Sequence, residues 1–229
     1  MTSHPSDPQA VLWDMDGTLI DSEPYWIAAE TELAARFGVT WTHEDGLQMV
    51  GNPLPVSAQI LRDRGVALSD DEIIGYLIMR VRAQISSHVP WQADARALLE
   101  ASVAAGIPNA LVTMSYTPLA EALTAAVPDA FAVVVTGDRV ERGKPDPEAY
   151  LTAARELGVD IERCVAIEDS PAGVQSAWMS GAATVGVRRL TPLVARAGLS
   201  RVHSLEGWDA QTLARVSAGE VIDELGDAQ

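Results

Sequence analysis

The stretch that decides the fold is Ala10-Val11-Leu12-Trp13-Asp14-Met15-Asp16-Gly17-Thr18. Its four apolar residues predict a buried strand, and Asp14 and Asp16 follow at the carboxyl end of that strand. Two carboxylates so close together repel each other unless a cation or a shared proton compensates their charge. Gly17 permits a turn that swings Asp16 back beside Asp14. The stretch therefore predicts a divalent metal site or an acid and base pair.

Further apolar runs repeat a pattern of strand, turn and helix. They predict strands over Val11–Trp13, Asn109–Thr113, Phe131–Val135, Cys164–Ile167 and Ala183–Val187. Between them, helical patterns that open on proline cover Pro118–Ala126, Pro147–Gly158 and Pro171–Gly181. Strands that alternate with helices of this size indicate an α/β fold with a parallel sheet. From Arg188 onward the sequence is less informative: Arg188 and Arg189 are expected on a charged helix or loop face, and Trp208 is expected to pack the tail against the core.

Almost a hundred residues separate the first two predicted strands. This segment has helical periodicity and no convincing strand, so it predicts a small helical insertion over residues 22–89. The remaining residues, 1–21 and 90–229, would form the core. Insertions at the carboxyl ends of parallel strands lie over the ligand crevice, so we expect this one to act as a lid.

Composition and charge limit the class of protein. The 229 residues are 48% hydrophobic, which is enough to fill the core of a soluble enzyme. A formal net charge of −16 argues against nucleic acid and anionic membranes as partners. The first nine residues do not resemble a signal peptide, and the lone Cys164 suits a reducing cytoplasm. We therefore expect a cytoplasmic enzyme, and the sequence leaves open whether it is a monomer or a dimer.

Lys144 is the only lysine among the 16 basic residues. It lies in the loop Arg142-Gly143-Lys144-Pro145-Asp146-Pro147. A compact ammonium group on a flexible chain is suited to contact both a carboxylate and a phosphoryl oxygen.

Polar residues also follow two other predicted strands. Thr113 and Met114 offer a hydroxyl and turn amides that suit phosphoryl oxygens, although such residues are often helix caps. Glu168 and Asp169 bring two more carboxylates to the edge that carries Asp14. So much negative charge requires a hard cation, and oxygen ligands indicate Mg²⁺. The four histidines show no zinc-ligand spacing.

Four segments in this order resemble the haloacid dehalogenase-like superfamily of aspartyl-phosphate hydrolases, in particular its β-phosphoglucomutases and sugar-phosphate phosphatases. They are Asp14-Met15-Asp16-Gly17-Thr18, Leu111-Val112-Thr113, Gly143-Lys144-Pro145-Asp146-Pro147 and Ile167-Glu168-Asp169-Ser170. The resemblance spans the whole chain. It implies a Rossmann-like core with a helical cap inserted after the first segment.

The resemblance also implies roles for individual residues. Asp14 would be the nucleophile, Asp16 the general acid and base, and Lys144 the neutralising cation. Thr113 would bind phosphate. The implied Mg²⁺ ligands are Asp14, the backbone carbonyl of Asp16, Asp169 and, directly or through water, Glu168. Further phosphate and substrate contacts are expected at Gly17, Met114, Trp26 and Gly51. Other candidates for setting substrate specificity are Trp41, the loop from Gly51 to Pro55, and Arg80 or Arg82.

The residues narrow the choice of reaction. Dehalogenation needs neither a metal nor a second aspartate, and phosphonate cleavage uses a cap lysine that this chain lacks. Two enzymatic hypotheses remain. One is a phosphatase of a small phosphomonoester, such as a sugar, polyol or glycolate phosphate, and the other is a phosphosugar mutase. The mutases carry a histidine and an arginine where this chain has Trp26 and Leu54, which favours the phosphatase. A catalytically silent binding or regulatory protein is the alternative of another class.

Overall fold

The computed structural model of the protein describes residues 8–50 and 52–226. Its strands are β1 (Ala10–Trp13), β2 (Asn109–Val112), β3 (Val133–Val135), β4 (Cys164–Glu168), β5 (Ala183–Val187) and β6 (Ser200–Val202). Its α-helices are α1 (Glu23–Arg36), α2 (His43–Leu47), α3 (Leu54–Asp63), α4 (Asp70–Ser87), α5 (Ala93–Ala104), α6 (Thr117–Thr124), α7 (Glu148–Leu157), α8 (Pro171–Ser180) and α9 (Ala210–Ser217). None of the described helices combines the length and the apolar character needed to cross a membrane.

The six strands form one parallel sheet in the order β3-β2-β1-β4-β5-β6. Trp13 at the end of β1 pairs with Leu111 of β2 on one side and with Ile167 of β4 on the other. The carboxyl ends of these three strands therefore lie side by side. The strand order reverses at β1, which is where open α/β sheets form a ligand crevice. The predicted α/β class with a Rossmann-like sheet is confirmed.

The sheet is buried on both faces, which explains its continuous apolar strands. Trp13 and Ile167 belong to the apolar cluster on one face. Leu12 and Val112 belong to the cluster on the other face, together with Tyr150 of α7. Every residue of β1 is buried, so the position of the loop that follows it is fixed by the core.

The chain between β1 and α5 forms the four helices α1 to α4, with no strand among its described residues. Helix α4 packs against α1 and α3 and also against α6 of the sheet layer. Ile20 forms an isolated antiparallel bridge with Trp91, so the segment leaves and rejoins the sheet layer at neighbouring points. The helical character expected of this segment is confirmed. The division into a cap of residues 22–89 and a core of the rest stays a prediction.

The last strand corrects the expectation for the tail. The sequence patterns assigned no strand after Val187, but Ser200–Val202 forms β6 beside β5. Arg201 at its centre hid the strand, because a charged residue contradicts an apolar pattern. Its buried guanidinium donates to Asp223 at 2.7 Å and to the carbonyl groups of Leu193 and Gly226. Trp208 packs against the core, as expected.

Candidate active site

The ammonium group of Lys144 lies between two carboxylates at the carboxyl edge of the sheet. Its Nζ atom is 2.6 Å from Oδ1 of Asp14 and 2.6 Å from Oε1 of Glu168. It also donates a hydrogen bond of 2.9 Å to the carbonyl oxygen of Val112 at the end of β2. Burial by itself lowers the pKa of Lys144, but the charges of Asp14 and Glu168 outweigh burial and raise it. The lysine therefore stays charged beside Asp14.

Three buried carboxylates form a cluster at this edge. Asp14, Glu168 and Asp169 each offer an oxygen, and these oxygens lie within 4.8 Å of one another. Burial and the charges of Asp14 and Glu168 raise the pKa of Asp169 well above its usual value, although Thr18 donates a hydrogen bond to it. One lysine cannot balance three carboxylates. An all-oxygen set of this size fits a hard divalent cation.

Two glycines allow the backbone to come close to this cluster. Gly17 has a φ of +86°, and a Cβ atom there would lie 2.1 Å from Oδ2 of Asp169. A Cβ atom on Gly173 of α8 would lie 2.0 Å from the carboxylate of Glu168. Both positions therefore exclude any side chain. Gly17 brings its loop against Asp169, and its expected contact with phosphate stays a prediction.

The carboxylate of Asp16 lies outside the cluster and is held by hydroxyl groups. It accepts hydrogen bonds from Ser22 at 2.5 Å, Ser115 at 2.7 Å and Thr113 at 3.4 Å. Burial raises the pKa of Asp16, the bonds from Ser22 and Ser115 oppose that shift, and the charge of Asp14 adds to it. A carboxyl group with a raised pKa suits proton donation.

Tyr150 supports Glu168 from α7. Its hydroxyl donates a hydrogen bond of 2.7 Å to Oε1 of Glu168, and its ring lies 5.2 Å from Nζ of Lys144. Ser170 donates to the other oxygen of Glu168 at 3.3 Å. Glu168 is thus held by Lys144, Tyr150 and Ser170. It lies beside the other two carboxylates of the cluster, Asp14 and Asp169.

The sequence did not assign roles to Ser22, Ser115 or Tyr150. Ser115 comes two residues after Thr113, and this position was the only available signal for it. Ser22 and Tyr150 come six residues after Asp16 and Lys144. Only the fold turns them back onto these residues.

Of the residues expected to contact the substrate, only some lie at the carboxylate cluster among the described residues. Met114 lies at the site, where its sulfur accepts a hydrogen bond of 3.3 Å from the backbone amide of Lys144. Trp26 is half-buried against the core. Gly51 lies outside the described residues. Arg80 is paired with Glu32 at 2.6 Å, and Arg82 is exposed.

The sequence model of the haloacid dehalogenase-like hydrolases matches residues 8–181, which include the whole carboxylate cluster. The chain belongs to this family. It is 35% identical over 217 residues to hexitol phosphatase A of Escherichia coli, a match that covers 92% of this chain and 96% of that protein. The family and this relative together show that the chain is a phosphoric monoester hydrolase.

Solved structures share the fold of this chain. The crystal structure of CbbY from Rhodobacter sphaeroides, in complex with xylulose-1,5-bisphosphate, is 29% identical with a TM-score of 0.79, covering 90% of this chain and 99% of that one. The β-phosphoglucomutase of Clostridium difficile has a TM-score of 0.72, covering 92% of this chain and 97% of that one. At 19% identity, this second likeness shows the fold alone.

Proposed function

We propose that the protein is a Mg²⁺-dependent phosphatase that hydrolyses a small sugar or polyol phosphate through an aspartyl-phosphate intermediate. The observation that carries the proposal is the placement of Asp14 between a buried cation and a separate proton donor. Lys144 contacts Asp14 at 2.6 Å, while hydroxyl groups hold Asp16 outside the carboxylate cluster. A nucleophile and an acid in distinct environments are what a two-step transfer requires.

In the first step, an oxygen of Asp14 attacks phosphorus and the bond from phosphorus to the leaving oxygen breaks. Asp16 gives its proton to the leaving alkoxide, so that the product departs as an alcohol. In the second step, Asp16 takes a proton from water, which attacks phosphorus and breaks the bond to Asp14. Lys144 compensates the charge of Asp14 as an anionic phosphate approaches. Inorganic phosphate and unmodified Asp14 result.

The residues that would hold Mg²⁺ are Asp14, Asp169, Glu168 and the backbone carbonyl of Asp16. The bound ion supplies positive charge that offsets repulsion between the phosphoryl group and the carboxylates. In this proposal, the hydroxyl of Thr113 and the turn that begins at Met114 receive phosphoryl oxygens. Gly17 keeps its loop close to Asp169.

The nature of the substrate is supported by the relatives. Hexitol phosphatase A, by its name, acts on phosphorylated hexitols, and CbbY is bound to a phosphorylated sugar. The mutase alternative requires cap groups that select a second sugar orientation, and Trp26 and Leu54 offer none of the expected histidine and arginine chemistry. The complete set of Asp14, Asp16 and Lys144 opposes a silent binding protein. A free, buried Cys164 supports a reducing compartment such as the cytoplasm.

The proposal is tested by incubating the full chain with para-nitrophenyl phosphate and with glucitol 6-phosphate, with and without Mg²⁺. We expect release of phosphate from both compounds in the presence of Mg²⁺ only. No release under any metal condition, from a protein shown to be folded by circular dichroism, would instead favour the binding or regulatory hypothesis.

A further inference from the structure

The two oxygens of the Glu168 carboxylate accept hydrogen bonds of unequal length. Glu168 and Tyr150 are both completely buried. Oε1 of Glu168 accepts from Nζ of Lys144 at 2.6 Å and from the hydroxyl of Tyr150 at 2.7 Å. Oε2 accepts from the hydroxyl of Ser170 at 3.3 Å. A separation of 3.3 Å is long for two oxygen atoms, so the hydroxyl of Tyr150 is the closer of the two neutral donors.

Tyr150 is also fixed relative to Lys144. Its ring centroid lies 5.2 Å from Nζ of Lys144. Tyr150 is the third residue of α7, and the loop before this helix carries the lysine. Glu148, the first residue of α7, fixes that loop, because its carboxylate accepts from the backbone amides of Glu141 at 2.8 Å and Arg142 at 3.1 Å. The tyrosine hydroxyl therefore has a defined position relative to the ammonium group.

The backbone of α8 limits the space around Glu168 on another side. A Cβ atom on Gly173 would lie 2.0 Å from both oxygens of the Glu168 carboxylate. Helix α8 also packs against α7, which carries Tyr150. The carboxylate is thus confined between two packed helices. Its hydrogen bonds set its orientation there, and Tyr150 supplies the shorter neutral one.

The orientation of Glu168 matters for the carboxylate cluster. Glu168 shares Lys144 with Asp14 and contributes one of the three oxygens that lie within 4.8 Å of one another. A carboxylate that is free to rotate loses this freedom when it binds an ion, and the loss weakens binding. A donor that already holds the carboxylate removes part of this cost. Loss of such a partner behind a metal ligand typically costs about 10- to 100-fold in metal affinity or activity.

We propose that Tyr150 is a positioning residue whose hydroxyl holds Glu168 in the orientation that binds the divalent cation, so that it sets the affinity of the cluster for Mg²⁺. This inference rests on the proposed Mg²⁺-dependent function and deepens it. The competing explanation is that the hydroxyl only satisfies a buried polar atom. Its removal would then lower stability and leave the affinity for Mg²⁺ unchanged.

The experiment removes one oxygen atom from each of two tyrosines. Tyr150→Phe keeps the buried ring and deletes the hydroxyl. Tyr25→Phe is the matched control, because Tyr25 donates to the backbone carbonyl of His88 at 3.0 Å within the inserted helical segment. Calorimetric titration of the metal-free protein with Mg²⁺, without substrate, measures the affinity for the ion. The Mg²⁺ concentration that gives half-maximal hydrolysis of para-nitrophenyl phosphate provides a second value.

We expect Tyr150→Phe to raise the dissociation constant of Mg²⁺ and the half-maximal concentration by about tenfold or more. Tyr25→Phe should leave both quantities unchanged. Near-ultraviolet circular dichroism verifies that each variant is folded. The inference is overturned if folded Tyr150→Phe binds Mg²⁺ as tightly as the unmodified protein, or more tightly.

A crystal structure of the unmodified protein with Mg²⁺ tests the inference without any substitution. The hydroxyl of Tyr150 should still donate to Glu168, and a carboxylate that has turned away from Tyr150 to reach the ion would equally overturn the inference. Hydrolysis of para-nitrophenyl phosphate by the unmodified protein separates the two levels. Its absence in the presence of Mg²⁺ rejects the phosphatase function itself, whereas hydrolysis with an unchanged Mg²⁺ affinity in Tyr150→Phe rejects only the role of the tyrosine.

Discussion

Nζ of Lys144 lies 2.6 Å from Oδ1 of Asp14, although 130 residues separate them in the chain. Lys144 follows β3, which is not a neighbour of β1 in the sheet. The lysine side chain therefore extends past the end of β2, where it donates to the carbonyl oxygen of Val112. The contact places a permanent positive charge against the proposed nucleophile before any substrate arrives.

Replacing Lys144 by alanine should lower kcat by on the order of 10² or more, because charge stabilisation of the phosphoryl transfer is lost. Asp14 and Glu168 would also lose their buried partner, so the thermal midpoint of unfolding should fall. Steady-state kinetics and calorimetry measure the two effects. Arg142→Ala in the same loop is the control, since an exposed ion-pairing arginine should matter little for either quantity. Near-normal kcat in the Lys144 variant would contradict the assigned role.

Asp14→Asn should abolish turnover while leaving the fold intact. The amide has nearly the shape of the carboxylate but cannot attack phosphorus to form the acyl-phosphate. Phosphate release gives the rate, and near-ultraviolet circular dichroism checks the tertiary packing. A folded variant that retains substantial activity would rule out Asp14 as the nucleophile.

Removal of divalent ions should eliminate activity, and Mg²⁺ should restore it. Ca²⁺ should substitute poorly because it prefers more ligands and a looser geometry. Asp169→Asn should raise the Mg²⁺ concentration needed for half-maximal activity, because one oxygen of the buried cluster loses its charge. Asp71→Asn on the exposed surface of α4 serves as the comparison and should have no such effect. Full turnover in chelator would refute the metal site.

Phosphorus NMR should show water, not a sugar hydroxyl, accepting the phosphoryl group. With β-glucose 1-phosphate and a bisphosphate primer, we expect inorganic phosphate from hydrolysis of a sugar phosphate and no build-up of glucose 6-phosphate. The reason is that Trp26 and Leu54 provide no polar selection for a second sugar orientation. Conversion to glucose 6-phosphate without free phosphate would establish the mutase alternative.

Asp94 at the start of α5 should make stability depend on pH in acid. Burial by itself raises its pKa, but the hydrogen bonds from Arg189, the amide of Leu205 and the hydroxyl of Ser204 outweigh burial and bring the pKa to about 2. A lowered pKa in the folded state stabilises the protein above the ordinary value of 3.8, and this contribution disappears as the pH falls towards 2.

Asp94→Ala should therefore lower the free energy of unfolding by about 2 kcal/mol at neutral pH, because four hydrogen bonds to a partly buried charge are lost. The difference from the unmodified protein should shrink below pH 3.8. Urea unfolding at a series of pH values measures it. The exposed pair of Asp70 and Arg62 provides the control, since Asp70→Ala should change stability little. A pH-independent difference would show that Asp94 does not act through its charge.

The sequence predicted the sheet and the convergence of the motifs because both depend on local signals. Apolar runs marked β1, β2 and β4, and a parallel sheet necessarily brings their carboxyl ends to one edge. Asp14, Thr113 and Asp169 therefore meet without any further information. Lys144 was included for two reasons: it is the only lysine of the chain, and its loop Gly143-Lys144-Pro145-Asp146-Pro147 is one of the four segments that resemble the family.

The features that were missed are buried polar residues whose partners are distant in the chain. Arg201 gave no strand signal, since its acceptors come from segments before and after β6. Tyr150 occupies a helix position whose burial depends on which neighbour the helix packs against. Patterns of polarity assign a residue to the surface or the core, and these side chains are polar and buried together. The catalytic roles themselves stay predictions.

The bridge between Ile20 and Trp91 has a consequence for how this protein can change. Because the two ends of the inserted segment are paired, β1 and α5 are connected as if by a short hairpin, whatever the length of chain beyond the pair. Substitution of one inserted segment for another would leave the strand register and the carboxylate cluster in place. Substrate preference can thus change with the inserted segment, provided that Ser22 at its start, which donates to Asp16, is retained.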